Sequence, residues 1–269
     1  MSQKPKHIIA VASGKGGVGK STVAMNLAVA LKVRGLKVGL LDADIYGPSQ
    51  QRMLGVADSV TPEQQDGKWL VPVDANGIKA MSMGFLTNSR TPAVWRGPMA
   101  SGALVQMLEQ TLWGDLDILL VDMPPGTGDI QLTLSQKAAL SGAIIVTTPQ
   151  DIALIDAQKG VEMFIKVKVP VLGVIENMSM HVCSACGHQE PIFGVGGGTS
   201  MAQDYGLALL ASLPLSLAMR EAADAGQSLV ELLPDSPEAL ALLQAADSVM
   251  ANLATAARSD GPAISMSDH

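Results

Sequence analysis

Apolar residues cluster along this chain in short, nearly unbroken runs: IIAVAS (8–13), KVGLLD (37–42), DILLVD (117–122), AIIVTT (143–148), VPVLGVIEN (169–177) and LALLASL (207–213). A strand with one face in water alternates apolar and polar residues, so runs that are apolar throughout read as strands covered on both faces. Between them lie longer stretches with helical patterning, at residues 20–34, about 97–111, 129–140 and 152–168, the first closed by Gly35 as a C-cap. Strand and helix in repeated succession predict a mostly parallel sheet with helices on both faces, a three-layer α/β/α architecture. In WLVPVDANGIKAMSM, Asn76-Gly77 separates two β-like runs and predicts a hairpin. Residues 236–256 read as a final amphipathic helix, and residues 257–269 as a disordered tail. With no internal repeat and no linker composition, residues 1–256 read as one domain.

Composition narrows the function classes. Hydrophobic residues make up 48% of 269 residues and charged residues 16%, enough apolar content for a large core. The chain has 2 cysteines, so disulfides do not hold the fold, which suits a reducing cytosol. The opening MSQKPKHIIAVASGKGG lacks the apolar run and cleavage site of a signal peptide, and no stretch reaches the roughly 18 continuous apolar residues of a membrane span. The expectation is a cytoplasmic protein with no membrane partner. Net charge is −7, and no Lys or Arg occurs from Glu221 to Ala257. Nucleic-acid binding wants a basic stripe, so nucleic acid is excluded as an expected partner.

The strongest local signal is GKGGVGKS at residues 14–21, which fits G-x-x-x-x-G-K-[ST] between a strand and a helix. Gly14, Gly16, Gly17, Val18 and Gly19 form the loop, with the glycines letting backbone N–H groups curl toward a phosphate. The helix from Lys20 adds its positive end. Lys20 is positioned for the β/γ-phosphates of ATP and the Ser21 hydroxyl for Mg²⁺, with Thr22 completing the segment. An ordinary phosphate cradle does not require Lys15. GKGGVGKST resembles the deviant phosphate loop of MinD/ParA-type ATPases, in which this lysine crosses to the partner subunit's nucleotide; the resemblance implies a homodimer with Lys15 acting in trans.

Acidic residues close two of the strands. Asp42 and Asp44, in LLDADIYGPS, stand at a strand's carboxyl end, where open α/β sheets bind ligands. Asp122, ending ILLVD, is the candidate to hold Mg²⁺ through water. Aspartates there also serve as caps and turn formers, and that alternative applies to both sites. By the same resemblance, Asp44 orients the attacking water, PPGTGD (124–129) senses the γ-phosphate, and Asn177 reads the adenine; a plain turn residue is the alternative for Asn177.

Cys183 and Cys186 form a C-x-x-C in HVCSACGH. A redox pair of thioredoxin type would place the first cysteine at a helix N-terminus, and no helical pattern follows here. A single-chain zinc site would need His181, Cys183, Cys186 and His188 within eight residues, which is cramped. A homodimer offers a third arrangement, two C-x-x-C pairs meeting at the two-fold axis, four thiolates for a [4Fe–4S] cluster or zinc. Outside that arrangement, His181 and His188 read as solvated loop residues, Met178 and Met180 as packing, and Gly194 to Gly198 as a hinge or a flexible turn.

With DADIYGPS, VDMPPGTGD, ENMSMHVCSACGH, FGVGGG (193–198) and LPLSLAMREAADAG (213–226) in this order, the chain resembles the Mrp/ApbC family of iron–sulfur cluster carrier ATPases from residue 7 to about 255. The resemblance implies a homodimeric ATP hydrolase that binds a [4Fe–4S] cluster between subunits, with zinc as the alternative metal. It also implies exchange with scaffold proteins and apo iron–sulfur proteins. Many bacterial members carry a further domain before the phosphate loop, whereas six residues precede His7, and that domain's contribution is expected to be absent or supplied by another protein. Two rival readings remain: a MinD/ParA-like positioning or partitioning ATPase, and a zinc-bridged dimer scaffold without catalysis.

Overall fold

The computed structural model describes residues 4–85, 97–183 and 185–259. Its elements in chain order are β1 (His7–Ala12), α1 (Lys20–Val33), β2 (Val38–Asp42), α2 (Gln50–Met53), β3 (Gln64–Gln65), β4 (Trp69–Leu70), β5 (Val73–Ala75), β6 (Ile78–Ser82), α3 (Gly97–Gln110), β7 (Ile118–Asp122) and α4 (Asp129–Lys137). There follow β8 (Gly142–Thr147), α5 (Asp151–Lys166), β9 (Val171–Glu176), β10 (His181–Val182), β11 (Gln189–Glu190), α6 (Gly197–Asp204), β12 (Leu209–Ser212), α7 (Leu217–Asp224), α8 (Leu229–Leu232) and α9 (Pro237–Ser259).

The central sheet has 8 strands in the order β12-β9-β8-β1-β7-β2-β6-β5, parallel except for the antiparallel edge pair β5–β6. The expected hairpin is that edge: Asn76 at φ 53° and Gly77 at φ 81° make its turn, and β6 then lies parallel to β2. From β1 the chain moves one way to β2 and later the other way to β8 and β9, so right-handed crossovers put helices on opposite faces. One layer is α1, α8 and α9, packed on one another; the other carries the pairs α3–α4 and α5–α6. Residues of β2, β7 and β8 are buried along their whole length, as strands covered on both faces must be. The mostly parallel, three-layer expectation holds.

Several boundaries differ from the sequence reading. α4 stops at Lys137 because Ala139 takes the left-handed φ of 47°, which no helix continues through. α6, α7 and α8 are too short to show a periodicity; α7 and α8 start where Ser216 and Ser228 accept N–H bonds from Met219 and Val230. α9 runs through residues 257–259, assigned above to the tail, and so takes in Arg258; the remainder of that tail lies outside the described residues.

α9 is long and apolar enough, by length and composition, to cross a membrane over Pro237–Ala256. Its packing accounts for that character. Ala239, Leu242, Ala245, Ala246 and Val249 recur at helical spacing and are fully buried, and the helix lies along α1, α8, β9 and β12. Asp247 on its outer side takes both branches of Arg34, at 2.8 and 2.6 Å. If α9 is a core helix, Leu242→Ala should reduce unfolding free energy by about 2–5 kcal/mol, whereas Leu240→Ala, at a position 54% exposed, should stay within about 0.5 kcal/mol. Urea unfolding of both variants checks this; equal small effects would detach α9 from the core.

Candidate functional site

The site forms where three parallel strands end level. Asp122 of β7 is the register partner of Val11 in β1 and of Asp42 in β2, so the loop leaving β1 and two aspartates share one edge. That loop is the GKGGVGKS segment, and its neighbours shape it. A Cβ on Gly14 would lie 2.1 Å from the carbonyl carbon of Asp156 in α5, so only glycine lets the loop pass this helix. Gly19 caps α1 at φ 81°, and a Cβ there would lie 2.2 Å from Asn177 Nδ2. No side chain caps α1, which leaves its first N–H groups pointing into the loop as anion donors. Gly126 N donates to Ser13 O at 3.0 Å and ties the 124–129 segment to the same loop.

Lys20 and Asp122 form an ion pair with exposures of 6% and 0%. The second Asp122 oxygen accepts from Gln50 Nε2 at 2.8 Å, and Gln50 Nε2 also donates to Ser21 O at 2.9 Å. Gln50 Oε1 is buried beside them without a hydrogen-bond partner among the described residues. Gln50 was invisible in the sequence, since no motif marks a glutamine eight residues after a strand; the contact arises because the start of α2 returns to the end of β2, with Ser49 N and Gln50 N donating to Asp42.

Asp42 and Asp44 separate in role. Asp42 is fully buried: Oδ2 accepts from Ser49 N at 2.9 Å, Gln50 N at 3.0 Å and Ser82 Oγ at 3.1 Å, and Oδ1 from Asp44 N at 3.1 Å. Burial pushes its carboxyl up to about 7, with the charge of Asp122 adding to the rise and the backbone donors opposing it. Asp44 is half-buried at the site's rim, and its Oδ1 accepts from Gly47 N at 3.2 Å, the turn-forming contact weighed as its alternative. Lys15 is half-buried, with no ion pair among the described residues.

Beside α1's first turn opens a cavity of about 480 Å³, lined by Gly19, Thr22, Asn177, Met178, Pro214 and Met219 among others. Asn177 is buried and donates from Nδ2 to Val18 O at 2.9 Å, so it buttresses the phosphate loop while forming a wall of this cavity. His181 also lines it, with Nδ1 buried and without a hydrogen-bond partner among the described residues. The solvated-loop expectation for His181 is therefore corrected. Met178 takes a left-handed φ of 55° after β9, and the chain then runs on parallel to residues 213–215, with His181 bridging Leu215.

The cysteines lie beyond, on the hairpin β10–β11, where His181 pairs with Glu190 and Val182 with Gln189. Cys183 N donates to His188 O and Gly187 N to Cys183 O, both at 2.9 Å. N–H groups of Ala185 and then Cys186, followed by the Cys186 thiol, lower the Cys183 pKa. Cys186 is exposed and Cys183 half-buried. Among the described residues no group of three His, Cys, Asp or Glu comes close enough to hold a metal ion. The single-chain His₂Cys₂ site does not form: His181 faces the cavity. The hairpin is not a helix N-terminus either, so the redox-motif geometry is missing. Gly194 to Gly198 is a turn into α6, anchored by Gly198 N donating to the buried Glu176 carboxylate.

Asp42 generates a pH test. Unfolded it titrates near 3.8 and folded near 7, so its contribution to stability is complete below the lower value and is lost as pH rises through the upper one. Asp42→Asn removes that titration. Between about pH 5 and about pH 7, wild type should lose stability relative to the variant at up to about 1.4 kcal/mol per pH unit. Urea midpoints across this range check it; parallel profiles would show an ordinary carboxylate.

Comparison with known proteins follows the same lines. A family model described as NUBPL iron-transfer P-loop NTPase, within the ParA group, matches residues 4–250. An iron-sulfur cluster carrier protein of Pseudomonas fragi is 62% identical over 87% of this chain and 82% of its own length. The carrier of the same name from Escherichia coli K12 is 56% identical over 92% of this chain and 67% of its own. The iron-sulfur cluster transfer protein NUBPL of Mus musculus is 51% identical over 93% and 80%. Among solved structures, a nucleotide-binding protein of Archaeoglobus fulgidus in complex with ADP superposes with a TM-score of 0.75 at 37% identity, covering 87% of this chain and 90% of that one. MinD of Pyrococcus horikoshii shares the fold, with a TM-score of 0.67 at 24% identity over 90% and 95%.

Proposed function

The chain belongs to the NUBPL-type family of iron-transfer P-loop NTPases, and from that membership we propose a cytoplasmic, homodimeric ATPase that carries a [4Fe–4S] cluster between its subunits. It takes the cluster from scaffold proteins and delivers it to apo-proteins. The observation that carries this reading is the Cys183/Cys186 hairpin. One chain offers two thiols at an exposed tip, one of them acidified by backbone N–H donors, and no third ligand among the described residues. A two-fold partner supplies the other two thiolates, the number such a cluster takes.

Nucleotide chemistry is assigned to the loop at the sheet edge. The N–H groups of Gly14 to Gly19 and α1's first turn hold the phosphates, and Lys20 exchanges Asp122 for the β/γ-phosphate oxygens. Mg²⁺ fits the donors present, the Ser21 hydroxyl and the Asp122 carboxylate, both hard oxygens; when bound it neutralises phosphate charge. Asp44, at the rim, orients the attacking water. Lys15 reaches the partner's nucleotide, so hydrolysis requires the closed dimer while binding does not. ATP thereby biases one subunit arrangement and alters how exposed the cluster is. The burial of α9 against α1 speaks against a MinD-like membrane-targeting role for it.

Two measurements test this reading. Anaerobic reconstitution should give about four irons per dimer, and replacing either Cys183 or Cys186 by Ser should empty the dimer. Zinc in place of iron, or full occupancy in monomers, would reject the shared cluster. Separately, Lys15→Ala should keep ATP affinity within about threefold while lowering kcat by about 10³-fold or more, the scale of a cation supplied in trans. Full turnover in Lys15→Ala would remove Lys15 from the chemistry.

A further inference from the structure

Within one subunit, a single side chain stands between the nucleotide loop and the cysteines. His181 is the first residue of β10, two positions before Cys183, and its imidazole forms part of the cavity wall beside Gly19, Thr22 and Asn177. Nδ1 is enclosed by protein and has no hydrogen-bond partner among the described residues. A buried imidazole nitrogen without a partner carries a desolvation penalty, which would be relieved if the ring turned to meet a ligand's polar group in the cavity. At about 480 Å³, the cavity falls in the range that holds small organic ligands. It opens next to Gly19 and Thr22 at α1's first turn, within reach of a nucleotide whose phosphates occupy the loop.

We propose that His181 hydrogen-bonds the base of the bound nucleotide and thereby couples nucleotide occupancy to the conformation of the Cys183–Cys186 hairpin. This rests on the nucleotide-binding reading of the phosphate loop. The mechanical connection is short. Residues 179–181 are zipped to the segment after β12: Ser179 N donates to Leu213 O at 2.9 Å, Leu215 N to Met180 O at 2.8 Å, and His181 bridges Leu215. That segment continues into Pro214, Leu215 and Ser216, which line the same cavity. On its other side β10 pairs with β11, and Cys183 N donates to His188 O. A base that draws the imidazole inward therefore acts on a strap fixed at both edges, with the cysteines two residues beyond its end. Met178, held at the left-handed φ of 55°, is the strained residue that begins this strap.

The chain has 2 cysteines, so thiol alkylation of the full-length, reduced, metal-free protein reports on this hairpin alone. ADP should change the alkylation rate of wild type by about threefold or more. Inorganic tripolyphosphate, which fills the phosphate loop without a base, should leave the rate unchanged. His181→Ala should weaken ADP about three- to tenfold, the worth of one hydrogen bond, should leave tripolyphosphate affinity unaltered, and should abolish the alkylation response at saturating ADP. His181→Asn, whose amide sits where Nδ1 does, should restore both. An unchanged response in His181→Ala, an equal response to tripolyphosphate, or ADP binding to wild type with no response would each overturn the coupling and leave the nucleotide reading intact. Failure of wild type to bind ADP would overturn both. The tripolyphosphate comparison needs no variant and holds even if His181→Ala does not fold.

Discussion

The buried pair of Lys20 and Asp122 is the constraint around which the site is arranged. Two opposite charges with exposures of 6% and 0% sit at the end of a parallel sheet whose strands are largely apolar. Removing one partner of such a pair leaves an uncompensated charge and destabilises by about 3–5 kcal/mol, so the geometry must be held. It is held by three things that converge from distant parts of the chain: the level ends of β1, β7 and β2, the glycine loop pressed against α5, and Gln50 bonded to both Asp122 and Ser21. Asp42, one strand away and rich in hydrogen bonds, meets the same low-dielectric surroundings without a cation of its own and responds by rising to about 7.

This arrangement suits a protein that trades partners. Lys20 and Asp122 neutralise each other, and an incoming polyphosphate with its divalent cation offers each a substitute of the right sign. The exchange keeps the buried charge balanced throughout, so binding need not expose a lone ion. The cysteine hairpin follows the opposite rule. It lies at the surface, held mainly by backbone bonds, and its Cys183 thiol is acidified by nearby N–H groups and not by a buried charge. In the function we propose, cargo chemistry sits on a light surface element and nucleotide chemistry in a rigid pocket, as a carrier that must release what it holds requires.

Much of this was legible in the linear chain. The apolar runs specified strands covered on both faces, their alternation with helices specified the parallel three-layer sheet, and Asn76-Gly77 specified the edge hairpin. Each is a local rule of period and turn chemistry, and each held within a few residues at the boundaries. The motif at residues 14–21 was equally plain, because the phosphate cradle needs glycines and a lysine at fixed spacing in one continuous segment. Family membership followed from several such segments in order.

What the sequence could not decide depends on residues far apart in the chain meeting. Asp42 and Asp44 are indistinguishable as letters two positions apart; only the overlying α2 and Ser82 of β6 bury the first and leave the second at the rim. Gln50 gained its place where the start of α2 meets the end of β2, Asn177 by following β9 to the phosphate loop, and His181 by pairing with Leu215, so that residues that read as loop form the wall of a cavity. α9's apolar length fitted a membrane as well as a core until α1 and α8 covered it. Period and motif are written in neighbouring residues, so the sequence determined the strands of the central sheet, its longer helices and the phosphate loop. Burial and partnership are set by the packing of distant segments, so only the tertiary structure decided which carboxylate is buried, which amide braces the loop and which imidazole faces the cavity.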